Sequence, residues 1–266
     1  MRQATRPTTK RTAWLGCTLL AAAMLAGCAT PRYSTLDLSK YPERGQRDNW
    51  LTVDTAPDSL ALLPAPPQPG SPEFEADMAA HKAALALRDT PRGQQAIVDA
   101  SFSPQNLGNK FLDAFGIEIS PQRTPITYNL IFRLVSTLGG AASNKAKEHY
   151  MRIRPFMYYN EGTCLPEDEH ILRGNGSYPS GHTAFGWGAA LVLTEISPER
   201  QDALLKRGYE YGQSRVICGA HWQSDIHAGR IVAAAAVAKL HTLPEFQRQL
   251  KAAKREIAAL RKTQQP

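Results

Sequence analysis

Beyond residue 72 the apolar residues recur at the spacing of a helix and hardly anywhere at the alternation of a half-buried strand, which restricts the chain to helical folds. Phe74, Met78 and Leu85 share one face, and Phe246, Leu250, Ile257 and Leu260 share another near the C-terminus. Ser197, Pro198 and Glu199 have the composition of an N-cap with proline in the first turn, opening a helix through Leu204, Leu205, Gly208 and Tyr211. No internal repeat is evident. The fold class that follows is all-α, a compact helical bundle. Four residues beyond Tyr211 the inward face carries Arg215, and a guanidinium aimed into a core needs an anion.

Of the 266 residues 42% are apolar and 21% charged, which excludes disorder over most of the length and makes one folded domain the default. The formal charge of +7 invites a nucleic-acid reading. Arg2, Arg6, Lys10 and Arg11, in a stretch of 27 residues without an acid, supply four of those charges, and the remaining excess is scattered among acids. Nucleic acid is therefore not expected as a partner.

The first 27 residues read as an address: a basic start, then an apolar run from Ala13 to Gly27 that is short for a bilayer but right for a secretory signal. Leu25, Ala26, Gly27 and Cys28 resemble a lipobox, in which Cys28 becomes the acylated first residue; cleavage near Ala21 to Ala23, with Cys28 incidental, is the other reading. Either reading exports the protein; on the lipobox reading a lipid anchor on Cys28 attaches it to the envelope, outer membrane favoured. Cys164 and Cys218 would then meet an oxidising compartment and either pair or stay as two buried thiols. The domains expected are a signal peptide (1–27), an irregular Pro-rich N-terminal arm (28–72) and a helical domain (73–266) with a soluble body.

Chemistry concentrates in three stretches. Lys147 and Arg154 are seven apart, two turns along one helix face if a helix runs through both, with Pro155 stopping it; a solvated basic face with Lys145, His149 and Arg152 is the alternative. The loop Gly174 to Thr183 feeds an apolar helix, so the amides of Ser180, Gly181 and His182 can cradle an anion at its N-terminus, where glycine permits close approach. His221 and Asp225 stand at i and i+4, so the carboxylate can accept one ring N–H and leave the other nitrogen its lone pair; a surface ion pair or part of a metal site has the same spacing. Three cations, an amide cradle and two histidines together suit phosphoryl transfer.

The wording Lys147-x6-Arg154-Pro155, then Pro179-Ser180-Gly181-His182, then Ser214-Arg215-x5-His221-x3-Asp225 resembles the tripartite signature of the type 2 phosphatidic acid phosphatase superfamily. GSYPSGHT, AKEHYMRIRPF and LKRGYEYGQSRVICGAHWQSD are similar to the bacterial class A non-specific acid phosphatases, from about Leu62 to the last helix. The resemblance implies an all-helical fold shared with haloperoxidases, hydrolysis of small phosphomonoesters outside the cytoplasm without metal or other cofactor, and homo-oligomers. His227 departs from the pattern, where similar sequences usually carry an acid.

On this reading His221 attacks phosphorus to give a phosphohistidine, Asp225 fixes its tautomer, and His182 protonates the leaving group and then activates water. Lys147, Arg154, Ser180, Gly181 and Arg215 hold the phosphoryl oxygens, with the His182 amide beside them. Competing readings are a vanadate-dependent haloperoxidase, a lipid phosphatase, a non-catalytic phosphate-ester-binding envelope lipoprotein and an adhesive surface lipoprotein.

Overall fold

Helices begin where proline and serine permit. The computed structural model describes residues 49–101 and 107–264, and its longer helices are α1 (Pro72–Leu85), α2 (Pro91–Ala100), α3 (Pro125–Ser136), α4 (Asn144–Tyr150), α5 (Gly181–Ile196), α6 (Gln201–Ile217), α7 (Gln223–Leu240) and α8 (Pro244–Gln264). Four of these open on proline, whose missing N–H has no intrahelical partner to lose in the first turn. Ser71 and Ser180 cap α1 and α5 through their hydroxyls. No strand occurs among the described residues, so the all-α expectation holds. No described helix is long and apolar enough to cross a membrane. The leader and Cys28 lie outside the described residues.

Nearly every face of α5 is apolar or small, which makes it the central helix. The helices α6 and α7 pack along it, α2 backs α6, and α3 packs on α8. In α6 the expected inward positions Leu204, Gly208, Tyr211 and Arg215 are all buried. Phe246, Leu250 and Ile257 of α8 are buried as the spacing predicts, with Leu260 packed at the margin.

The inward face of α1 differs from the expected one. Phe74 is buried, but its companions are Asp77 and His81, while Met78 and Leu85 are only half-buried. The Ala- and Glu-rich sequence of this helix carries no strong apolar stripe, so the helix turns to satisfy polar partners on α7 and on the segment after α4. Asp77 accepts hydrogen bonds from Arg152 and Ser224 there.

The described part of the Pro-rich arm, 49–71, lies along the bundle. Trp50 is buried edge-on against Phe246, with the Arg133 guanidinium 3.3 Å from its ring centroid. Further along, the Pro64 carbonyl accepts from the Tyr178 hydroxyl at 2.9 Å, tying the arm to the loop before α5.

One buried carboxylate fixes α3. Thr124 offers α3 no side-chain cap, and Glu256 of α8 accepts from the amides of Ile126 and Thr127 at 3.0 and 2.9 Å and from the Thr127 hydroxyl at 2.6 Å. Burial pushes the Glu256 carboxyl up, and those three donors oppose the shift. Glu256→Ala orphans three buried donors and should lower unfolding free energy by about 2–4 kcal/mol, with Glu256→Gln losing less because one acceptor remains. Urea unfolding measures both; a loss under about 1 kcal/mol for the alanine variant would show that α3 does not depend on this cap.

Candidate active site

Lys147 and Arg154 meet, but not along one helix. The αL conformation of Met151 (φ 38°) ends α4 just past Tyr150, and Arg154 is extended (φ −79°, ψ 153°), as a residue before proline prefers. Pro155 therefore opens a short helix, Pro155–Tyr158, where the sequence reading had it stopping one. The two cations converge because both donate to the same carbonyl, Gly176 O, Lys147 Nζ at 3.0 Å and Arg154 Nη2 at 3.2 Å. Lys147 also holds Pro179 O, and Arg154 Nε holds Leu172 O and Asn175 O, so the loop before α5 is wrapped around them. Position 176 has to be glycine, since a Cβ there would strike the backbone of Lys147 and Met151.

Burial, with a contribution from neighbouring Arg154, brings the Lys147 amine down to about 7 against the pull of Asp225. Arg154 falls to about 10, chiefly through burial, Asp225 again opposing. Both groups gain from a bound anion.

At the α5 N-terminus the expected cradle is narrower than three amides. Ser180 N donates to Asp225 O at 3.0 Å, which takes it out of the expected set. Ser180 Oγ accepts from the Thr183 amide and hydroxyl, the hydrogen bonds that cap the helix. Glycine at 181 answers to a different need from anion access: a Cβ would run into the Gly139 carbonyl of the π-helical turn Thr137–Ala141. His182 places Nε2 2.9 Å from Ala100 O at the end of α2. Loss of water around the ring, then the positive charge of Arg215, holds this imidazole well below its ordinary pKa, with the Ala100 carbonyl opposing and His221 and Lys110 adding smaller pushes down.

The third segment supplies the cation that the helical spacing pointed inward. Arg215 is 2% exposed, and its Nε and Nη1 have no hydrogen-bond partner. Burial pushes this guanidinium down, partly offset by Tyr211, Asp168 and Asp99. A buried guanidinium with two unused donor atoms is poised for an oxyanion.

His221 and Asp225 also meet, by a route other than one helical face. His221 precedes Trp222, the N-cap of α7, and Asp225 is the third residue of that helix. The Asp225 Oδ2 accepts from Trp222 N at 2.8 Å and lies 3.3 Å from His221 Nδ1, so capping geometry brings the pair together. On the far side of the ring, Nε2 is 3.0 Å from Arg154 Nη1. An ionised carboxylate only accepts and a guanidinium only donates, so the proton sits on Nδ1 and the lone pair on Nε2. Burial first, then Arg154, Lys147 and Arg215, hold this imidazole well below its ordinary pKa, opposed by the Ser177 backbone.

Sequence reasoning missed Arg152, Asp77 and Ser224, which form a buried network behind Asp225. It also missed Asp99 on α2, which accepts from the Ser214 hydroxyl at 2.6 Å and from Arg207, holding α6. Arg152 had been grouped with Lys145 and His149 as an alternative solvated face. Of that group Lys145 is surface-paired with Asp58, whereas the Arg152 side chain is 7% exposed. Only the polar companions of Phe74 on α1 could have signalled the network. Cys164 and Cys218 come together, with Cα atoms 4.6 Å apart, closing the chain near the end of α6. His227, two residues beyond Asp225, is exposed, its Nε2 2.8 Å from Gln223 Nε2. Among the described residues no group of three or more His, Cys, Asp or Glu side chains is arranged to hold a metal ion.

Residues 129–249 match the PAP2 superfamily. A non-specific acid phosphatase of Providencia stuartii is 53% identical over 213 residues, covering 80% of this chain and 86% of that one. A protein of the same description from Salmonella typhimurium is 44% identical over 84% of this chain and 89% of its own, and an acid phosphatase of Zymomonas mobilis 35% identical over 77% of each. The span 129–249 takes in all three site segments, and the chain belongs to the non-specific acid phosphatases of the PAP2 superfamily.

Proposed function

We propose that this acid phosphatase hydrolyses a broad range of small phosphomonoesters through a phosphohistidine at His221, without a metal ion, as an exported protein. The observation that carries the reading is the His221 ring, with Nδ1 at Asp225 and Nε2 at Arg154, together with Arg215, whose Nε and Nη1 have no hydrogen-bond partner.

An entering ester places its phosphoryl oxygens among Lys147, Arg154, Arg215 and the Gly181 and His182 amides, with Ser180 at the same helix terminus. One oxygen takes over the Arg154 Nη1 donor now facing His221, which releases the Nε2 lone pair toward phosphorus. The N–P bond forms as the P–O bond to the leaving group breaks, and His182 gives that oxygen its proton. Asp225 stabilises the positive charge growing on the His221 ring. Water then loses a proton to His182 and attacks phosphorus, the N–P bond breaks, and phosphate departs.

Residues 25–28 support processing as a lipoprotein anchored to the envelope through Cys28. The closeness of Cys164 to Cys218 supports a disulfide and hence an oxidising compartment such as the periplasm.

His221→Ala should lose turnover and, after rapid quenching with a labelled substrate, show no acid-labile phosphoenzyme; a variant that keeps near-normal turnover removes the covalent step. Arg215→Ala should reduce kcat by about 10²-fold or more, the scale of a lost preorganised charge donor, and a loss of kcat below about tenfold would contradict the role given to its unused donors.

The pH dependence follows from the two depressed imidazoles. His182 must be protonated to act as an acid, so activity falls as pH rises through its pKa. In the free enzyme that pKa lies below the ordinary imidazole value. A bound phosphate dianion offsets Arg215 and raises it. The alkaline limb of kcat/KM should therefore lie at lower pH than that of kcat for an aryl phosphate, and coincident limbs would argue against His182 as the acid.

A further inference from the structure

Behind the His221–Asp225 pair stands a second charge pair that no step above uses. Arg152 Nη1 donates to Asp225 Oδ1 at 2.7 Å and to Ser224 Oγ at 2.7 Å, while its Nη2 donates to Asp77 Oδ2 at 2.8 Å. Asp77 also accepts from Ser224 N on Oδ1 and from the Ser224 hydroxyl on Oδ2, at 2.8 and 2.6 Å. The Asp77, Arg152 and Asp225 side chains are 2%, 7% and 0% exposed. Trp222 and Phe74 flank the guanidinium, their ring centroids 5.5 and 5.9 Å away.

We propose that Arg152, locked in place by Asp77 from outside the three signature segments, is a positioning residue that compensates the charge of Asp225 and orients its carboxylate so that His221 holds its attacking tautomer. The proposal rests on the nucleophile reading above.

An ionised carboxylate with no exposed surface needs a compensating charge. The donors on Asp225 Oδ2 are the neutral Trp222 amide and the His221 ring; among the described residues the guanidinium hydrogen-bonded to this carboxylate is that of Arg152, on Oδ1. Lys147 from α4 and Arg154 reach it only electrostatically, with Tyr178 from the loop before α5 also near. His221 in turn faces Arg154, Lys147 and Arg215, with His182 across the site, and His227 stands near Asp77. Without Arg152 no charged donor holds Oδ1, and the carboxylate stops serving as a fixed acceptor for His221 Nδ1–H. Asp77 guards against the opposite error. It balances the Arg152 charge, which would otherwise add to the three cations that already disfavour an imidazolium at His221.

The two halves of the network therefore predict opposite displacements. Arg152→Met keeps the packed stem and removes the charge. Its kcat should fall about 10²-fold with KM within about threefold, and the acid limb of its kcat/KM profile should move up by about one pH unit or more, the scale of losing an adjacent opposite charge. Asp77→Asn should lose less kcat and move the same limb down, and Arg152→Lys, with charge but no fork to span both carboxylates, should recover part of the loss.

A loosened structure lowers the active fraction without moving a limb, so an Arg152→Met limb at its wild-type position, or both variants moving the same way, overturns the proposal. Should Arg152→Met fail to fold, Asp77→Asn decides alone: a downward limb supports the proposal and an unmoved or upward one overturns it. An active His221→Ala variant would fell the nucleophile reading and this proposal with it, whereas an inert one beside an unshifted Arg152→Met overturns the positioning role only.

Discussion

Positive charge carried below the surface with too few carboxylates to balance it is the constraint on which the rest of this molecule turns. Lys147, Arg154 and Arg215 are at most 7% exposed, and Asp225, the carboxylate that acts on both Lys147 and Arg154, is already hydrogen-bonded to Arg152. A cluster of that kind opposes folding unless dipoles surround it, and the segment Leu172–Pro179 supplies them by turning its carbonyls onto Lys147 and Arg154. Neutral dipoles make the cations tolerable without neutralising them. Arg215 is the extreme case, because two of its donor atoms find no partner.

The helical frame exists around this cluster in a specific sense. The α5 terminus can approach the site because Gly181 lets it close on the π-helical turn at Gly139, and the amide of Ser180 is spent on the Asp225 carbonyl, which fixes α5 to the start of α7. The Asp99 carboxylate of α2 holds Ser214 beside Arg215, and the next carbonyl along, Ala100 O, holds His182. One helix end thus sets the position of a cation on α6 and of a histidine on α5. That coupling explains why α2, which contributes no side chain to the signature, packs where it does.

What the sequence disclosed was the identity of the inward groups more than the paths that bring them together. Helical spacing correctly placed Arg215 on the buried face of α6, because that face is continuous with Leu204, Gly208 and Tyr211. The same reasoning put Lys147 with Arg154, and His221 with Asp225, on shared helix faces, and both pairs meet by other means: an αL break at Met151 in one case and an N-terminal cap in the other. Residue spacings of four and seven fit a helix face, but caps and tight turns produce the same proximity. Arg152 and Asp77 were illegible for a different reason. Each looks like a solvated charge in its own segment, and only the tertiary approach of α1 to the start of α7 turns them into a buried pair.

The two histidines show how one environment can support two proposed roles. Both rings are depressed by burial and by Arg215, so burial alone assigns neither. Their partners separate them. A carboxylate at His221 Nδ1 stabilises positive charge on the ring as its other nitrogen forms a bond, which suits a nucleophile. A backbone carbonyl at His182 Nε2 orients the ring with a dipole, and an arriving phosphate dianion adds support for the protonated form. A ring whose acidity is set by the substrate protonates a leaving group only when an ester is bound. The difference between a carboxylate and a carbonyl, one atom beyond each ring, is what divides the proposed acid from the proposed nucleophile.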